Sequence, residues 1–435
     1  MKRFITLSLA MASFILSAQE NSPQPLKFSL EEAIGYAVGN NINQKVLQIS
    51  KQSADETVAQ SKRDLLPNLS ASLSQSVLNS HDDVTGGTNA SGNYSLNTSV
   101  TVYNGSQNWN SIRLNKMKSS LADTKVAQAQ NQLMLNVIQS FLSILMNDEL
   151  LRYQREVERV SGEQVVQGLS KFKAGQILES DYLLLESQYA TDKYNVINTE
   201  ITRNNSLLQL KNYLSIDANT PLEIIPPDTS RSFTTLDLPG LDVVIEETMA
   251  WLPDIQLSER NIELARMQTS ISKGAYLPTV SINGSVGSGY SGGATSWGNQ
   301  FGNRLNEQIA LTISIPLWDR GKTQSSVKQN RYAESQATLE AEQTRLNVRK
   351  QLEQEYQNVI STHNKYTAST TKHKAQQEVF RVYGSKFEAG SITAVDLLQQ
   401  QTNYLSALND FIQSKYSYIL NRKVVDVYMG KEITL

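Results

Sequence analysis

The sequence predicts a mixed α+β membrane protein. Long antiparallel helical coiled-coil hairpins join strands that only oligomerisation can close into a transmembrane β-barrel, and the whole plan is written twice. Three observations carry this. The stretch KFKAGQILESDYLLLESQY, beginning at Lys171, recurs 215 residues later as KFEAGSITAVDLLQQQTNY, beginning at Lys386. Four segments alternate between mainly apolar residues and mainly Ser, Thr or Asn, the period of a half-buried strand. Two proline-free stretches repeat apolar residues three or four apart over some 65 residues each, the period of a helix.

The chain opens with Lys2 and Arg3, an apolar run from Phe4 to Leu16, and Ser17-Ala18-Gln19. That is the pattern of a secretory signal peptide over residues 1–18, and the run is too short to cross a bilayer as a helix. No cysteine occurs among the 435 residues, so disulfides, thiolate metal sites and a lipidated N-terminal cysteine are excluded. Charge is nearly balanced, with 40 basic and 42 acidic residues, and no strong field argues for nucleic acid.

The repeat spans the mature chain. Asn41 to Pro67 and Leu252 to Pro278 are each 26 residues apart, and Asn104 to Lys171 and Asp319 to Lys386 are each 67 apart. Only the piece from Pro to Asn/Asp differs, 37 residues against 41. Packed helices cannot change length without losing register, whereas surface loops can, so that piece should hold an exposed loop. The expected division is a first repeat over 19–217, a Pro-containing connector over 218–240, and a second repeat over 241–435. Each repeat should run helix, two strands (about 68–104 and about 279–318), then a long helical hairpin.

In each repeat the first helix should be one continuous stretch. It opens at the capping box Ser29-x-x-Glu32 and ends at Leu66-Pro67, with its counterpart running from about Asp242 to Leu277. The first strands set Leu69, Ala71, Leu73 and Val77 against Ser70, Ser72, Ser74 and Ser76, and Tyr94, Leu96 and Val100 against Ser95, Asn97 and Ser99. In the second repeat Val280, Ile282 and Val286 oppose Ser281, Asn283 and Ser285, and Ile309, Leu311, Ile313, Ile315 and Leu317 oppose Ala310, Thr312 and Ser314. A soluble hairpin on a core would alternate as well. Two details favour a barrel: strands of about ten residues cross a tilted bilayer span, and the second face is Ser, Thr and Asn rather than Lys and Glu. Tyr94, Tyr103, Tyr290 and Trp318 lie near strand ends, where interface aromatics belong. The segments SHDDVTGGTNASGN and GGATSWGNQFGNRLNEQ read as exposed loops. Four strands cannot close, and open edges are not tolerated in lipid, so a membrane barrel requires several copies. The long helices, turning at Gly175 and Gly390, would reach ~100 Å from the strands at ~1.5 Å per residue.

In this order of elements the chain resembles the TolC-like outer-membrane efflux proteins. The resemblance rests on the duplicated set of helix, Leu-Pro, strand, loop, strand, aromatic-Asn/Asp-x-Gly, long helix, Gly elbow and helix. It implies a homotrimer with a twelve-stranded barrel in outer-membrane lipid and a twelve-helix tunnel in the periplasm. It also implies the exit duct of a tripartite efflux or type I secretion system, working with a periplasmic adaptor protein and an inner-membrane pump. By the same match, Gly175, Gln176, Ile177, Gly390, Ser391 and Ile392 form the tip where the adaptor docks, and Asp181, Phe387, Asp396 and Gln399 stand at the entrance. The sequence departs from the family pattern where an entrance Tyr and Arg are expected: it has Phe387 and Ile392, and Gln399 replaces a second acidic residue. An Asp in the first turn of a helix is also favoured by the helix dipole alone. No catalytic set, metal site or cofactor is expected; His81, His363 and His373 share no ligand spacing, and no phosphate loop or nucleophile motif occurs. The rival reading is a non-channel coiled-coil surface protein with a soluble hairpin.

Overall fold

The computed structural model describes residues 25–80, 87–226, 236, 238–292 and 304–431. The leader, most of the connector after Pro226 and the tips of both strand-connecting loops lie outside the described residues.

The first repeat begins with the short strand β1 (Leu26–Phe28) and two helices, α1 (Leu30–Asn40) and α2 (Ile42–Arg63). Strands β2 (Asn68–Ser80) and β3 (Gly87–Asn104) follow, then the helices α3 (Gln107–Lys173) and α4 (Glu179–Leu214). Strand β4 (Leu222–Ile224) lies in the connector and pairs in parallel with β1. The second repeat gives α5 (Leu241–Trp251), α6 (Pro253–Gly274), β5 (Thr279–Ser291), β6 (Asn306–Ser314), α7 (Lys322–Glu388) and α8 (Ala394–Tyr428). The duplication is metrical: α1 and α5 have 11 residues each, α2 and α6 have 22, and α3 and α7 have 67.

Two expectations need correction. The first helix of each repeat is not continuous but breaks at equivalent places. In the first repeat Asn41 leaves the helix, its carboxamide oxygen accepts from the Gln44 N–H at 3.2 Å, and its amide donates to the Tyr213 carbonyl at 2.8 Å. In the second, Pro253 opens α6, and the residue before a proline is forced towards extended backbone. The strand ends also differ from expectation: β6 stops at Ser314, just before Pro316 and short of the expected 318, whereas β3 begins earlier than expected. Gly87–Asn93, read as loop, is strand paired with Asn93's partner Ser74 and onwards to Ser80. Those Gly, Asn and Ser residues are poor strand formers alone; the ladder to β2 holds them.

Four strands form one antiparallel sheet in the order β2-β3-β5-β6. The corners that lead from sheet to long helix are tight. Gly105 has φ of 65°, and a Cβ on it would stand 2.1 Å from the Gly274 carbonyl oxygen, so only glycine fits where the corner meets the end of α6. At the matching corner, Asp319 accepts from the Gly321 N–H at 3.0 Å and the Thr323 N–H at 2.7 Å, capping α7 from outside its first turn. The main core lies midway along the hairpins, where Ile138, Phe141 and Ile144 of α3 meet Leu210 and Leu214 of α4, Leu408 and Ile412 of α8, and Ala33 and Ala37 of α1. No helix among the described residues is long and apolar enough to cross a membrane.

Candidate functional site

The sheet has one apolar and one polar face, as the register requires. Leu69 opposes Thr98, Leu96 opposes Val286, Val100 opposes Ile282, and Ile282 opposes Leu311, so these side chains share a face. Their neighbours Ser99, Asn283 and Ala310 share the other. The apolar face is uncovered within the chain: Ile309 is 87% exposed and Leu69 is 76% exposed. In water such a surface would be a severe liability; in lipid it is the expected outer wall. At one end the band closes with a polar cluster, in which the Gln75 amide donates to the Tyr94 hydroxyl and the Tyr290 hydroxyl donates to Gln75 Oε1 at 2.6 Å. At the other end stand Tyr103 and the exposed Trp318. Nine residues separate Tyr94 from Tyr103, roughly 30 Å along a strand at ~3.3 Å per residue, or about 23 Å after a tilt of ~40°. That matches the ~25 Å apolar band of an outer-membrane barrel. The extra strand from Gly87 to Asn93 therefore projects beyond it.

The elbows lie at the far ends of the long helices. Gly175 has φ of 71° and Gly390 φ of 72°. Each follows the same six-residue closure: the Gly175 N–H donates to the Phe172 carbonyl and the Gln176 N–H to the Lys171 carbonyl, both at 2.9 Å, while Gly390 donates to Phe387 at 3.0 Å and Ser391 to Lys386 at 2.9 Å. These satisfy the last carbonyls of α3 and α7 and require a left-handed residue. Gln176, Ser391 and both glycines are exposed, and Ile177 and Ile392 are half-buried.

The four residues expected at the entrance fall into different surroundings. Phe387 is 2% exposed and packs with Leu185, Ala394 and Leu397, with Ile392 and Tyr383 alongside. Apolar packing between the two hairpins thus occupies the place where a polar contact was expected to be lacking. Asp396 is exposed and completes a capping box, accepting from the Thr393 N–H at 3.1 Å and its hydroxyl at 2.7 Å. Those bonds, the hydroxyl's first, hold its carboxyl below the usual range. Asp181 is half-buried in the first turn of α4 without a side-chain partner at the helix cap. Gln399 donates to Asn403 one turn on, at 3.4 Å.

Three features were not anticipated. Lys171 Nζ donates to the Phe387 carbonyl at 2.6 Å and the Glu388 carbonyl at 3.2 Å, and sits 4.7 Å from the Phe387 ring centre. It places a cation on the negative end of α7 and ties one hairpin to the other. Lys386, its counterpart in the repeat, lies instead over Tyr383 on its own helix, so identical letters do different work. Beside the tip runs an open groove of about 900 Å³ between α3 and α7, lined by Val160, Gln164, Val166, Gly384 and Phe387 among others. Higher up, Lys415 and the Tyr416 hydroxyl both contact Glu149 at 2.8 Å, joining α8 to α3.

A four-stranded sheet with a bare apolar wall, set on helices of 67 residues with glycine elbows, is an arrangement shared with characterised proteins. The family model for outer membrane efflux proteins matches residues 34–215 and 244–431. The chain belongs to that family. The break in the match falls in the connector, and its two parts correspond to the two copies of the element set. Outer membrane protein TolC of Escherichia coli (strain K12) is 22% identical over 390 residues, covering 87% of this chain and 78% of that protein. Alkaline protease secretion protein AprF of Pseudomonas aeruginosa is 19% identical over 328 residues, covering 71% of this chain and 64% of that protein. Among solved structures, CusC, studied for the conformational changes of folding and transmembrane channel formation, superposes with a TM-score of 0.79 at 14% identity. It covers 93% of this chain and 92% of its own. This outer membrane efflux protein thus places its sheet in the outer membrane and its helical hairpins in the periplasm.

Proposed function

We propose that three copies close into one channel that carries substrates from an inner-membrane pump to the exterior, by efflux or type I secretion. The observation that carries this is the sheet. Its edge strands β2 and β6 have no partner on their outer sides among the described residues, and alternate strands run in opposite directions. The β6 edge of one copy is therefore antiparallel to the β2 edge of the next, the geometry that closes a barrel without an open edge. Two copies would give eight strands, whose interior is filled by side chains; three give twelve and leave a lumen lined by Ser, Thr and Asn. The two repeats, 19–217 and 241–435 about the connector 218–240, each supply one strand pair and one hairpin. Family membership supports a channel protein rather than an enzyme.

At the tip, the exposed turns Gly175-Gln176-Ile177 and Gly390-Ser391-Ile392, with the groove beside them, are proposed to receive the periplasmic adaptor protein. Asp181 and Asp396 of three copies would set six carboxylates around the entrance, with Phe387 closing by packing and Gln399 neutral. The capping bonds on Asp396 favour this reading. They keep its charge to lower pH than an ordinary carboxylate, and the charge is lost only as pH falls through that depressed value. Carboxylates in a narrow passage attract cations, and salt weakens the effect over a screening length of ~8 Å at physiological ionic strength. In planar bilayers the purified protein should form cation-preferring pores. Asp181→Asn with Asp396→Asn should bring ion preference towards that of bulk solution, leaving conductance at high salt nearly unchanged. Unaltered selectivity in the double variant would reduce the two aspartates to helix-start residues. Absence of any pore would favour the coiled-coil surface protein instead.

A further inference from the structure

Between the two hairpins, well inside the tip, lies a polar knot that the channel reading does not use. Asp192 of α4 is 3% exposed and Gln401 of α8 is 1% exposed. The Gln401 amide donates to Asp192 Oδ2 at 2.8 Å, and the Gln188 amide, one turn back on α4, donates to Oδ1 at 2.9 Å. From α3, the Ser161 hydroxyl reaches both the carboxylate and the Glu158 carbonyl, the latter at 3.1 Å. It has one proton and serves one of them at a time.

The charge balance of this knot is unusual for the molecule. Asp426, also buried, has Arg422 and Lys423 within 3.6 Å. Asp192 forms no salt bridge among the described residues, and on α3 the neighbouring charge is Glu158, which is of the same sign. Burial without a cation disfavours the carboxylate and pushes its pKa up, against the pull of the three donors. The hydrogen-bond count points the same way. Gln401 Oε1 and, one turn along α3 from Ser161, Gln164 Oε1 are both buried without a donor. A half-turn of the Gln401 amide would present Oε1 to a protonated Asp192, which then donates the bond that is missing.

We infer that Asp192 is a proton-binding site at the joint of the two hairpins, one that keeps its proton to higher pH while α8 is packed on α4 than when α8 has moved away. The sign follows from linkage. Packing raises the Asp192 value above that of the separated, hydrated carboxylate (~3.9). The joint is therefore tightest below that pH and weakens as pH rises towards the packed-state value. In that window each pH unit costs up to tenfold in the ratio of packed to separated joint. A fall in pH would thus tighten the lower hairpins on one another, and loss of the proton would loosen them. Only this consequence rests on the channel reading; the site itself rests on the knot.

The test compares detergent-extracted, assembled wild-type protein with Asp192→Asn, which keeps the size and an amide in place of the charge. Thermal unfolding is followed from about pH 3.5 to about pH 8, spanning the ordinary Asp value of ~3.9. The two proteins should have nearly equal Tm at the acid end. The Asn variant should gain on the wild type as pH rises and then hold a constant lead. Ser161→Ala, which removes a donor to the ionised form, should move the wild-type transition to higher pH. A Tm difference that is flat across the range, or a wild type that gains on the Asn variant with rising pH, overturns the proposal. If Asp192→Asn does not assemble, an unmoved transition in Ser161→Ala overturns it instead. The readout does not depend on conduction, so pore-free protein showing the predicted Tm profile would sink the channel reading and spare the site.

Discussion

Lysine at Val100 or Leu311 should remove the protein from the outer membrane, whereas lysine at Ser99 or Thr312 should leave it there in assembled form. Val100 and Leu311 flank Ile282 across two ladders in the middle of the apolar face. A lysine near the bilayer midplane of a barrel costs about 2–4 kcal/mol, and the proposed trimer would carry the change three times over. Ser99 and Thr312 point to the opposite face, where a charge meets water. Membrane fractionation with heat-resistant assembly as the readout separates the two outcomes. Equal tolerance on both faces would mean that the sheet is a soluble hairpin.

The second large effect is expected at the elbows. Changing Gly175 and Gly390 together to leucine should abolish export while assembled protein stays in the membrane. Space is not the obstacle, since nothing lies within 4 Å of a Cβ built on either residue. The strain is conformational: a left-handed backbone costs an L-residue roughly 1–2 kcal/mol, too little to unfold helices of this length but enough to reshape the tip. Two leucines would also fill the surface proposed to receive the adaptor. Export of a fluorescent efflux substrate from whole cells, alongside recovery of the assembled protein, checks this. Normal export by the double variant would move adaptor docking away from the turns.

Much of this was legible in the sequence because the constraints are periodic. Alternation in the Leu69 and Val280 segments fixed the two faces of the sheet, and the equal spacings from Asn104 to Lys171 and from Asp319 to Lys386 anticipated two helices of equal length. The break at Leu252 was signalled by Pro253, but its counterpart at Asn41 had no proline to mark it, and apolar spacing continues through both. The strand from Gly87 to Asn93 was not legible, since its residues favour turns and are held by pairing with β2. At the candidate site, Gly175 and Gly390 announced their own backbone. Lys171 and Asp192 did not stand out, because their roles depend on Phe387 and Gln401, more than 200 residues away in the chain.

The central claim is that one chain makes a third of a barrel. Native mass measurement of the detergent-extracted protein tests it most directly, and the cysteine-free sequence allows a check by engineered disulfides between the β2 and β6 edges. The account predicts a single species of three copies, with cross-links that join different chains. A stable monomer that keeps its strands in detergent and in lipid, or a cross-link that closes β2 on β6 within one chain, would contradict it.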